Sequence, residues 1–181
     1  MENIKQLWLL MVLVCFSALF VSCEDEVVAV TGCTDEQSTN FNAEATEDDG
    51  SCEFARDVFL GQYLGAFTCD DPLLGFINSD SLAFEIKEPV DDSDKSVAVL
   101  SLTIDGLGVD FNGRMEGNTF TVSDTLTDVM IPNLGLTADR VTGNGSAEIL
   151  ADGTLSGSIT LGLTALIIDI EDECTIVGEK I

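Results

Sequence analysis

Six cysteines and 33 carboxylates hold most of the reactive chemistry open to this chain, because its 181 residues include no histidine. Without an imidazole there is no Ser-His-Asp or Cys-His nucleophile system, and most catalytic zinc sites are excluded too. Paired carboxylates can hydrolyse glycosides. Among so many acids, however, chance adjacency carries no information. The least ordinary grouping, Asp169, Glu171, Asp172 and Glu173 beside Cys174, also reads as a solvated loop. Hard oxygen donors recur between Cys33 and Cys52: Asp35, Asn40, Asn42, Asp48 and Asp49. Such a set suits Ca²⁺ better than a softer metal, but its spacing is not that of an EF-hand, and the same residue types close turns. There is no C-x-x-C pair, which disfavours a four-thiolate metal site. The expectation is a protein that is not an enzyme and has no cofactor beyond a candidate structural Ca²⁺.

The N-terminus sets the context. Lys5 precedes the apolar run Leu7–Phe20, which is followed by Val21-Ser22-Cys23 and by Glu24-Asp25-Glu26. The run holds 14 residues, too short for a spanning helix of roughly 20. A basic start, an apolar stretch and a small residue before the cut form a secretory signal. The Cys directly after Ser22 resembles a bacterial lipobox. That resemblance implies cleavage after residues 1–22, acylation of Cys23 and an acidic tether over 23–31. Phe20 stands where Leu is usual, although bulky residues occur there in lipoproteins of the Bacteroidetes. The acidic triplet resembles the signal that sends such lipoproteins to the cell surface, so the expected location is the outer membrane, facing outward. One acyl chain holds a membrane only marginally; a lipoprotein Cys carries two or three.

The net charge of −26 belongs to the part after the signal, since Glu2 and Lys5 cancel. Phosphate backbones would repel it, which excludes nucleic acid as a partner. An apolar content of 45% nevertheless supplies a core, so this is no disordered acidic tail. If Cys15 leaves with the signal and Cys23 takes lipid, Cys33, Cys52, Cys69 and Cys174 remain in an oxidising compartment. Four cysteines allow three pairings; spacing favours Cys33–Cys52 as a local staple and Cys69–Cys174 as a long-range one.

Residues 32–53 read G-C-T-D, then N-F-N, A-T and D-D-G-S-C. This pattern resembles a small disulfide-closed module repeated in secreted Bacteroidetes proteins and present here once. So short a segment cannot bury a core, so a bridge, with or without an ion, must hold it. Phe41 is its one candidate core residue.

From Phe54 to Ile181 the pattern is all-β. Leu82, Phe84 and Ile86 alternate with polar neighbours, as do Leu100, Leu102 and Ile104, Val109 and Phe111, Phe120 and Val122, and Leu155, Ile159, Leu161 and Leu163. Asp105-Gly106, Gly117-Asn118, Asn144-Gly145 and Asp152-Gly153 are turn signals. Strands are expected to open with Val58–Cys69 and close with Cys174–Glu179. Bonding between Cys69 and Cys174 would make first and last strands neighbours, as an up-and-down barrel of about eight strands requires; a β-sandwich is the alternative.

The 54–181 stretch resembles the calycin-like (lipocalin-like) barrels of Bacteroidetes lipoproteins through Phe59–Tyr63, Val129–Leu134, the Gly-rich hairpin Gly143–Leu161 and Cys174–Lys180. The resemblance implies an apolar cavity, for which Phe59, Phe67, Phe84, Phe111, Met115 and Phe120 are the candidate lining. In so small a barrel the same side chains can instead fill the interior. Trp8 leaves with the signal, so sugar-stacking platforms would have to be Phe. The reading is a membrane-anchored module that binds a small apolar ligand or a surface protein. A Ca²⁺-stiffened structural or adhesive protein is the alternative, and a carboxylate-dependent hydrolase a more distant one.

Overall fold

A computed structural model describes residues 28–104, 107–132 and 135–181. The signal-like segment, Cys23 and the acidic triplet lie outside the described residues. Thr31–Ile181 form one compact unit. No helix among the described residues is long and apolar enough to cross a membrane.

Two short strands, β1 (Thr31–Gly32) and β2 (Glu47–Asp48), pair in parallel inside the small module, which the Cys33–Cys52 disulfide closes. A 3-10 turn, Ala55–Val58, leads into eight long strands: β3 (Gly61–Cys69), β4 (Ser79–Lys87), β5 (Val97–Ile104), β6 (Leu107–Glu116), β7 (Thr119–Ile131), β8 (Leu136–Ile149), β9 (Leu155–Ala165) and β10 (Ile168–Lys180). Each pairs antiparallel with the next, and β10 returns to β3, closing the barrel. The sandwich alternative is thereby set aside. The closing ladder runs from Cys174 opposite Cys69 to Lys180 opposite Tyr63. The Cys69–Cys174 disulfide joins directly opposed residues at one end of it, with Cα atoms 4.1 Å apart.

Inward positions alternate large and small, as a narrow barrel requires. A Cβ added at Gly178 would lie 2.6 Å from the Phe84 ring, and one at Gly113 would lie 2.5 Å from Phe120. Gly143 seats Phe111 in the same way, at 3.0 Å. Missing side chains on β6, β8 and β10 therefore make the seats into which rings from β4, β6 and β7 fit.

The expected elements shift in several places. The first strand starts at Gly61 rather than Val58, because Ala55–Val58 winds into the 3-10 turn. Gly117-Asn118 and Asp152-Gly153 do form turns, and Asp105-Gly106, outside the described residues, falls between β5 and β6. Asn144-Gly145 is not a turn: it lies within β8, where a Cβ on Gly145 would meet the Ser158 carbonyl oxygen at 2.1 Å. Here glycine serves close strand approach, not reversal. The last strand begins at Ile168, six residues before Cys174, because Leu166-Ile167 turns the chain. Phe41 is 41% exposed, so the buried Cys33 and its disulfide centre the module instead.

Two outcomes test this packing. Replacing both Cys69 and Cys174 with Ser is expected to lower unfolding free energy by about 2–5 kcal/mol in a denaturant melt with the fold retained. Gly178→Val is expected to cost about 1–3 kcal/mol by overpacking, and pairing it with Phe84→Leu is expected to restore part of the loss in a double-mutant cycle.

Candidate functional site

The barrel interior is the first place where the sequence points to a site. Phe67 comes from β3, Phe84 from β4, Phe111 and Met115 from β6, Phe120 from β7, and Phe59 from the segment just before β3. All six are buried and share one core. Phe59 and Phe120 pack with ring centroids 6.2 Å apart. Tyr63, absent from the sequence-derived lining, stacks on Phe84 at 5.1 Å. Its hydroxyl donates to the Phe59 carbonyl at 2.7 Å, and burial raises its pKa.

Together these rings occupy the interior. The gaps left there among the described residues include one of about 20 Å³ bordered by Phe120, Ile159 and Ile176. Another, of about 40 Å³, is bordered by Leu74, Ile77, Phe111, Ile131 and Leu163. A water needs about 10–15 Å³ of such space, whereas an engineered cavity that binds benzene measures about 150 Å³. Of the six candidate residues, Phe111 and Phe120 border these gaps.

The second place was not found from sequence. Arg56, in the 3-10 turn, is 1% exposed. Its guanidinium donates to the Val97 carbonyl at 3.1 Å and to Glu88 at 3.2 Å, and it pairs with Asp92 at 2.5 Å. Lys95 also pairs with Asp92 and lies over the Phe54 ring. The signal was available: Arg56 is the one basic residue between Lys5 and Lys87, set between Phe54 and Phe59. A buried charge must be paired, and the acidic β4–β5 connection supplies the partners. Hydrogen bonds from Lys95 and then from Arg56 hold the Asp92 carboxyl below its ordinary pKa. This cluster joins the N-terminal entry to the barrel wall.

In the small module, the five candidate Ca²⁺ residues act on the backbone. Asp35 accepts the Gln37 N–H, Asn42 that of Glu44, Asp48 that of Gly50 and Asp49 that of Ser51. Asn40 accepts the Glu53 N–H and donates to the Ser51 carbonyl. These are the local bonds by which Asx residues close turns. Among the described residues, no three acidic or Cys side chains of the module lie within 4.8 Å of one another. Gln37 docks the module on the barrel: its amide donates to the Ser93 carbonyl and accepts the Lys95 N–H.

The acidic group beside Cys174 is divided. Asp169, Glu171 and Glu173 are exposed on β10, whereas the half-buried Asp172 accepts the Asp71 N–H at 2.6 Å. Cys69, Asp172 and Cys174 are close together, but both sulfurs are committed to the disulfide. Asp172 thus fixes the β3–β4 connection near the clasp.

The depressed Asp92 pKa gives a signed prediction. A carboxyl with a lower pKa folded than unfolded contributes its stability above the unfolded value of about 4. That contribution is lost as pH falls through the lower folded value. Melting temperature is therefore expected to drop on acidification below about pH 4, and Asp92→Asn is expected to flatten that acid limb.

Comparison with protein-family models, curated proteins and solved structures finds no match to this chain.

Proposed function

We propose that this chain is a lipid-anchored, non-enzymatic interaction module of the Bacteroidetes surface-lipoprotein kind, whose calycin-like barrel works as a rigid scaffold rather than as a carrier. One observation carries the choice between scaffold and carrier: the interior is occupied by the protein's own rings, and the two gaps described are smaller than a benzene-sized ligand requires. What such a barrel offers a partner is its outer surface and its connecting loops. The disulfide clasp and the ring seats keep that surface in one shape.

The anchor rests on the sequence Phe20-Val21-Ser22-Cys23 and the acidic residues after it. Two or three acyl chains on Cys23 give stable attachment where one does not. The chain then presents the barrel beyond a short tether and the small disulfide module.

Two measurements test the proposal. Cys23→Ala is expected to release the protein from membranes or to leave an unprocessed precursor; acylation that persists in the variant overturns the anchor. Native mass spectrometry of the detergent-extracted protein is expected to give the bare acylated mass. A stoichiometric apolar molecule that survives extraction overturns the scaffold in favour of a carrier.

A further inference from the structure

Strand directions divide the barrel into two unlike ends. The small module, Arg56 and the β4–β5, β6–β7 and β8–β9 connections gather at one end. The β3–β4, β5–β6, β7–β8 and β9–β10 connections gather at the other, distal end. Of the six basic residues described, Arg56, Lys95, Arg114 and Lys180 lie toward the module end, and Lys87 ends β4 there. Four of these five are in ion pairs. Toward the distal end there is one, Arg140. Exposed acids there include Asp70, Asp80, Asp128, Asp139, Asp169 and Glu171.

At the centre of this acidic rim stands the β9–β10 tip. Ala165 pairs with Ile168, so Leu166-Ile167 is a two-residue turn. Leu166 has φ 52°, a conformation that favours glycine, and no glycine is there. Its side chain is 88% exposed, and that of Ile167 is 99% exposed. Asp139 accepts the Leu166 N–H at 3.3 Å, and Asp169 accepts the Thr164 hydroxyl at 2.9 Å. Asp128 stands opposite Asp139 in the β7–β8 register, set by Thr127 opposite Arg140 and Val129 opposite Ala138. Two bulky apolar side chains thus project from a turn that would be less strained without one of them, ringed by carboxylates without ion-pair partners among the described residues.

We propose that the Leu166-Ile167 tip is a docking knob for a basic protein surface, entering an apolar pocket whose rim carries Lys or Arg. The proposal rests on the scaffold reading and adds the site and the partner's chemistry. Charge complementarity selects the occupant. A second copy would bring like rims together, and the same carboxylates oppose approach to anionic lipid. A cationic rim gains from all of them while the apolar pair is buried.

The test measures fluorescence anisotropy of two labelled peptides with the purified full chain: one alternating leucine and lysine, the other leucine and glutamate. Leu166→Gly/Ile167→Ser relieves the turn and is expected to keep or raise the melting temperature. The lysine peptide is expected to bind, and its affinity to fall at least tenfold in that variant and in Asp128→Asn/Asp139→Asn/Asp169→Asn. Val90→Ser, at the module end, is expected to leave affinity unchanged. Equal affinity in the tip and Val90 variants, or binding of the glutamate peptide, overturns the knob while leaving the scaffold standing. Tip-dependent partition onto phosphatidylcholine vesicles overturns it in favour of lipid, and tip-dependent self-association in favour of a second copy. A co-purifying apolar molecule, by contrast, sinks the scaffold reading itself.

Discussion

Closure of β10 onto β3 is the constraint on which the rest of the molecule depends. A sheet of eight strands left open would expose two unpaired edges, each a template for further strands. Here the edges satisfy each other from Cys174–Cys69 to Lys180–Tyr63, and a covalent bond joins one end of the run. That bond spans 105 residues of sequence, so it restricts the unfolded chain strongly. Closure also fixes the interior diameter, and with it how much side chain can be enclosed.

That diameter explains the pattern of large and small residues. A ring fits only where a facing position lacks a side chain, so Phe84 and Phe111 are coupled to Gly178 and Gly143 from strands two places away, and Phe120 to Gly113 across the β6–β7 hairpin. The interior consequently has little room for a larger residue at those glycines. The two ends differ in what they carry, although Phe59 at one and Leu74 and Ile77 at the other belong to the core. One receives the N-terminal segment through Arg56 and Gln37, and the other presents its turns to solvent.

Much of this architecture was legible in the sequence. Alternation in β4 and β6 is clean because each strand has one buried face, and cysteine spacing suggested a local and a long-range disulfide. What stayed hidden has physical causes. In β7 the core-facing residues are Phe120, Val122 and Leu126, but beyond Asp128 they are Val129 and Ile131. Asp128 has φ 56°, and β8 makes the matching change between Ala138 and Val141. Alternation read along either strand therefore fails where both change face. The β9–β10 turn is hidden for another reason: Leu166-Ile167 extends an apolar run where Gly or Asn would mark a reversal. Arg56 was missed because burial of a lone cation depends on partners 32 residues or more away. Among the candidate site residues, the six interior side chains do converge, whereas the module's five oxygen donors serve their own loop.

The Arg56 anchorage has a mechanical consequence. Tension applied at the N-terminal side would reach β3 at Gly61 and tend to peel it away from β4 and β10 one rung at a time, the weakest way to load a sheet. Before the first rung is loaded, however, the guanidinium must be drawn out from between Glu88, Asp92 and the Val97 carbonyl. If it yields, peeling stops at Cys69, where the strand is welded to its neighbour. A shear pin at the entry and a rivet at the far end make β3 a strand that can be stretched loose but not stripped off.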